Sequence, residues 1–97
     1  MSDAQPRQVF HKDVWYSGHV QGVGFRLSVL HVSRGYEVTG GVQNLPDGRV
    51  LVQAAGDEAE VAAFLAEVAR QQAAYIRSTE EREFWGETRR GGFHIIQ

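Results

Sequence analysis

Apolar positions along the chain follow two alternating periods. Between Phe10 and Ser17 the spacing is two: Phe10, Val14 and Tyr16 share one face and His11, Asp13, Trp15 and Ser17 the other, with Lys12 interrupting the apolar side. That pattern predicts a strand. From Phe25 the spacing becomes four, three and four through Val29, Val32 and Tyr36, the stripe of a helix with one buried face. Gly35 is its expected stop. Val38 to Asn44 returns to an extended pattern weakened by Gly40 and Gly41. Leu45-Pro46-Asp47-Gly48 then places proline and glycine as a tight turn does, and Arg49 to Ala55 reads as the partner strand of a hairpin. Asp57 and Glu60 form a capping-box pattern at the head of a second helix, in which Val61, Phe64, Leu65 and Val68 keep helical spacing to near Gln72. Tyr75 to Trp85 predicts a strand with a charged, solvated middle from Glu80 to Glu83, and Gly91 to Gln97 a last short strand.

The order is βαββαβ with a terminal strand. In one short chain this implies an α+β, ferredoxin-like sandwich: an antiparallel sheet with both helices on one face. Residues 1–8 are expected to form a flexible tail and residues 9–97 a single domain, since no repeat or linker divides them. A fold of this type carries many unrelated functions, so function has to be read from a site.

Composition narrows the choice. Over 97 residues, 42% hydrophobic content supports one small core. Cysteine is absent, which excludes disulfides and thiolate metal sites and is compatible with a reducing cytoplasm. His11, His19, His31 and His94 show no paired ligand spacing, so no metal and no cofactor are expected. Residues 1–8 lack the apolar run of a signal peptide, and no stretch approaches the roughly 20 apolar residues of a membrane span. The expectation is a cytoplasmic protein without a membrane partner. A formal net charge of −2 argues against nucleic acid as a partner.

Charge distribution matters more than its sum. Residues 14–36 hold Arg26 and Arg34 and no acid, so this stretch is positive within an otherwise acidic chain. It contains a glycine-spaced run, Gly18-His19-Val20-Gln21-Gly22-Val23-Gly24, followed by Phe25-Arg26. The spacing differs from both the dinucleotide fingerprint and the triphosphate loop, and there is no lysine. Backbone amides of a compact bend, closed by an arginine fork, suit a single phosphoryl group. His19 and His31 lie in the same stretch and read as solvated bystanders.

The run from Gly18 to Arg26 resembles the acylphosphatase signature G-x-V-Q-G-V-x-F-R at every fixed position. Gly40-Gly41-Val42-Gln43-Asn44-Leu45-Pro46-Asp47-Gly48 is similar to the second motif of that family, G-W-V-x-N-x-x-D-G, at all but one position, and Phe93-His94-Ile95 resembles its closing F-x-I strand. The resemblance implies a monomer that hydrolyses acyl phosphates to a carboxylate and inorganic phosphate. It implies Arg26 as the residue that binds the phosphoryl oxygens and Asn44 as the one that holds the attacking water. Gly18, His19, Val20, Gln21, Gly22, Val23 and Gly24 form the expected phosphate-binding loop, for which inorganic phosphate and sulfate compete. Carboxylate is a good leaving group, so orientation of water and charge stabilisation suffice.

Three departures stand out. Gly41 replaces the usual tryptophan, with the expectation of a looser strand behind Asn44. Glu37 replaces a glycine after the first helix, and a glycine-proline pair is missing after the second, where Gln71-Gln72-Ala73-Ala74 stands instead. Three other readings compete: a domain directed to carbamoyl phosphate, as at the start of larger hydrogenase-maturation proteins; a non-catalytic anion-binding module; and an RNA-binding domain. The last lacks the aromatic residues on central strands that stack bases, since Val50, Val52 and Gln53 stand there.

Overall fold

A computed structural model describes residues 8–97. Of the expected tail only Gln8 falls within them, and it opens the first strand; residues 1–7 lie outside the description. The elements are β1 (Gln8–Gly18), α1 (Phe25–Ser33), β2 (Val38–Asn44), β3 (Val50–Gly56), α2 (Glu58–Gln71), β4 (Ile76–Glu87) and β5 (Phe93–Ile95). The sheet order is β4-β1-β3-β2-β5. The first four strands pair antiparallel, as expected. The terminal strand pairs parallel to β2, so the sheet is mixed. Residues 88–92 are too few to climb back along the sheet after β4. The chain therefore crosses the sheet's end and enters β5 running the same way as β2.

Both helices lie on one face. Phe25, Val29 and Val32 from α1 and Val61, Phe64, Leu65 and Val68 from α2 close over Phe10, Val14 and Tyr16 of β1, Val50, Val52 and Ala54 of β3, and Val38 and Val42 of β2. The two apolar stripes read from the sequence are thus the two helix faces that meet the sheet. Phe64 is fully buried and meets Phe93 edge to face at 5.3 Å, which fastens the short β5 to α2. Truncating such a core phenylalanine to alanine costs about 3–5 kcal/mol.

Lys12 does not break the alternation of β1. It lies on the helix-bearing side opposite Glu83, where β4 is acidic instead of apolar, and pairs with Glu81 at 3.0 Å and Glu83 at 3.2 Å. The middle of β4 is exposed, as expected, with its charges paired across to β1. On the other face Arg82 donates to Asp13 at 2.6 Å, with its guanidinium over the Phe84 ring at 5.2 Å and the Trp15 ring at 5.9 Å. Asp13 is only 1% exposed there, and its neighbour His11 stacks on Phe84.

Two helix ends differ from expectation. Gly35 does not stop α1 in a left-handed conformation. Instead, successive tight turns, Arg34 N–H to His31 O, Gly35 N–H to Val32 O and Tyr36 N–H to Ser33 O, unwind the helix over three residues. At α2, Asp57 caps as expected by accepting from the amides of Ala59 and Glu60. Glu60 does not complete the box. Its carboxylate accepts from the Glu37 amide at 2.8 Å, which ties the α1–β2 link to α2.

Candidate active site

The loop between β1 and α1 is fixed at its root and open at its tip. Gly18 is required by close approach: a Cβ there would lie 2.4 Å from the Tyr75 carbonyl oxygen and 2.7 Å from the Arg77 nitrogen. The His19 amide donates to that same carbonyl at 2.9 Å, so Gly18 and His19 anchor the loop to the start of β4. Val20 is buried in the core. Gly22 and Gly24 then adopt φ of 80° and 78°, left-handed values that are strained for other residues, although no neighbour would crowd a side chain at either.

These bends leave donors free. Among the described residues, no amide from Val20 to Gly24 donates to a backbone carbonyl. Gly24 is the N-cap of α1, so the first amides of that helix also lack intrahelical acceptors. No acid stands in the first turn. A helix end with unpaired N–H groups and no acid beside it suits an anion.

The concavity so formed is a recess of about 200 Å³ lined by Val20, Gly22, Gly24, Phe25, Arg26, Leu27, Asn44, Ile95 and Gln97. Arg26 and Asn44, eighteen positions apart in the sequence, therefore meet at one cavity. Arg26 comes from the first turn of α1, and Asn44 is the last residue of β2. Of the expected loop residues, Val20, Gly22 and Gly24 line the recess and the other four do not. Gly18 and His19 are the anchor, Val23 packs against the core, and Gln21 turns away.

Gln21 has a distinct place. Its Nε2 donates to the carbonyl of Leu45 and to that of Arg49, both at 2.9 Å. Those carbonyls flank the β2–β3 turn directly after Asn44. The turn is braced again by Asp47, whose carboxylate accepts from the Arg49 amide at 3.0 Å and from its Nε at 2.9 Å. These bonds, the amide's first, hold the Asp47 carboxyl below the ordinary range. Gln21 thus ties the loop that carries the donors to the hairpin that carries Asn44.

Sequence reasoning did not find Leu27, Ile95 or Gln97 at the recess. Ile95 had a signal in the alternation of Phe93 and Ile95. Leu27 had one as an apolar residue off the buried stripe of α1, and it is 65% exposed. Gln97 had none. The place of the missing tryptophan is also accounted for: a Cβ on Gly41 would lie 2.6 Å from Cδ1 of Ile96 and 2.9 Å from the His94 carbonyl oxygen. Ile96 covers the strand where a larger side chain would stand.

A tetrahedral anion held by amides and a guanidinium, with a carboxamide at its side, is the chemistry this recess supports. A family model described as acylphosphatase matches residues 12–95. The chain belongs to the acylphosphatase family. It is 37% identical to an acylphosphatase of Hahella chejuensis over 86 residues, 88% of this chain and 92% of that one. With an acylphosphatase of Archaeoglobus fulgidus it shares 46% identity over 56 residues, 58% of this chain and 63% of that one. This match thus spans under two thirds of the relative's length. Among solved structures, an acylphosphatase from Coxiella burnetii superposes with a TM-score of 0.78 at 26% identity, covering 96% of this chain and 99% of that one. Full-length HypF in its phosphate- and nucleotide-bound form gives a TM-score of 0.77 at 26% identity, with 99% of this acylphosphatase-family chain covered and 13% of HypF. The ferredoxin-like α+β fold is common to them. No helix among the described residues is long and apolar enough to cross a membrane.

Proposed function

We propose that this chain hydrolyses acyl phosphates to a carboxylate and inorganic phosphate. The observation that carries the reading is the meeting of Arg26 and Asn44 at one recess, at the open N-terminus of α1. The phosphoryl group takes the amides of the loop tip and of the first turn of α1, and the Arg26 fork engages two of its oxygens. Asn44 accepts a hydrogen bond from water through its side-chain oxygen and holds that water in line with the bond to the leaving carboxylate. A carboxamide is no base, so the proton of the water passes to a phosphoryl oxygen of the substrate. The carboxylate departs without needing a proton.

The proposed reaction uses groups of a single chain, and a monomer is the proposed state. Inorganic phosphate and sulfate compete for the loop. The test is release of phosphate from benzoyl phosphate. Arg26→Ala should lose about 10³–10⁵ in rate. Asn44→Ala should lose about 10²–10³ in kcat while phosphate binding, followed by calorimetry, persists. Phosphate binding by the wild type without any hydrolysis would leave an anion-binding module in place of an enzyme.

A further inference from the structure

A second and larger cavity, of about 570 Å³, opens beside the recess and shares Gly24 and Leu27 with it. It follows one face of α1 from the N-cap to the C-cap. Near the recess its walls are mainly apolar, formed by Val23, Leu27 and Leu30 with Ser28 among them, and its far end holds His31 and Arg34. Arg34 is exposed and makes no ion pair among the described residues. On the α2 side Gln71 lines the groove and donates to Glu67, whose carboxylate is also taken by Arg70 at 3.0 Å. α1 itself carries no acid. The groove therefore runs from the proposed phosphoryl site, along a mainly apolar wall, to a guanidinium that makes no ion pair among the described residues.

We infer that this groove holds the acyl group of the substrate, and that Arg34 selects acyl phosphates with a second negative charge at the far end of that group. The inference rests on the proposed hydrolysis and names its preferred substrates. Eight residues separate Arg26 from Arg34, about 12 Å along a helix axis, and the long arginine side chain shortens what the substrate has to span. A rigid acyl group one benzene ring long, with its charge opposite the phosphoryl end, fits this layout. The apolar wall takes the ring, and the guanidinium takes a carboxylate or phosphate as a charge-assisted pair.

The test compares 4-carboxybenzoyl phosphate with 4-methylbenzoyl phosphate, which have the same ring and differ in the distal charge. In the wild type kcat/KM should favour the carboxy substrate by about tenfold, the scale of one hydrogen-bonded charge pair, and mainly through KM. Arg34→Gln should bring the ratio near one, Arg34→Lys should keep part of it, and Arg34→Glu should invert it. Circular dichroism checks that each variant is folded. A ratio unchanged between the wild type and Arg34→Gln would overturn the subsite while leaving acyl phosphate hydrolysis standing. Failure of the wild type to hydrolyse either compound would overturn hydrolysis itself, and the subsite with it.

Discussion

Asp13 faces away from the helices, yet it is 1% exposed and bonded to Arg82, a residue 62% exposed in its own side chain. Its second oxygen finds no partner among the described residues. A carboxylate so enclosed depends on one cation that water can reach from the other side. Removing that cation strands the charge, a loss larger than the net worth of the pair. Arg82→Ala should therefore destabilise the fold by about 2–4 kcal/mol, read as a lower urea midpoint with unchanged slope. A loss below about 0.5 kcal/mol, the level of an ordinary surface substitution, would show that Asp13 does not need the arginine. The alternation of β1 made Asp13 legible as a residue of the outer face. Nothing in the sequence tied it to Arg82, because cross-strand partners 69 positions apart are set by register. The same holds for Lys12, a polar break in the apolar face whose two glutamate partners lie across the strand pair.

At the scale of elements, periodicity located β1 and both helices, since each presents one face to a common core; β2 and β3 were marked by the turn between them, and β4, exposed along nearly its whole length, carries no such stripe. Their ends were less legible. Gly35 and Glu60 stand where local rules expect a stop and a capping partner, but tight turns and the Glu37 amide claim these positions instead. The loop was legible as a glycine run, while its division of labour was not. Gln21 sits amid the donors in sequence and directs its side chain to the hairpin turn. Gln21→Met keeps the length of the side chain and removes both bonds. We expect kcat to fall about 10–100-fold, the effect of a misplaced water-orienting group, with the phosphate dissociation constant changed less than about threefold. Isothermal titration beside steady-state kinetics checks the division. An equal loss in binding and turnover would make Gln21 part of the anion site and not a brace between the loop and Asn44.

For the molecule as a whole, the βαββαβ order specified the layers, and the antiparallel pairing of four strands followed from it. The parallel docking of β5 did not, because it depends on how few residues link it to β4. That docking brings Ile95 and Gln97 to the recess and Ile96 over Gly41. The recess is thus assembled from a loop near the start of the domain, a hairpin in its middle and its final strand. Between Glu87 and Phe93 the chain exposes Thr88, Arg90, Gly91 and Gly92. A protease that cuts after arginine therefore has a switch within reach. Brief trypsin treatment should sever the chain at Arg90 before it opens the helices, and mass spectrometry should find residues 91–97 released. The remaining antiparallel sheet, with α1 and α2 upon it, should keep its far-ultraviolet signal while phosphate binding falls, since one wall of the recess leaves with the fragment. Substrate or phosphate, by bracing that wall, should slow the cut, so the rate of nicking becomes a measure of how often the last strand lets go.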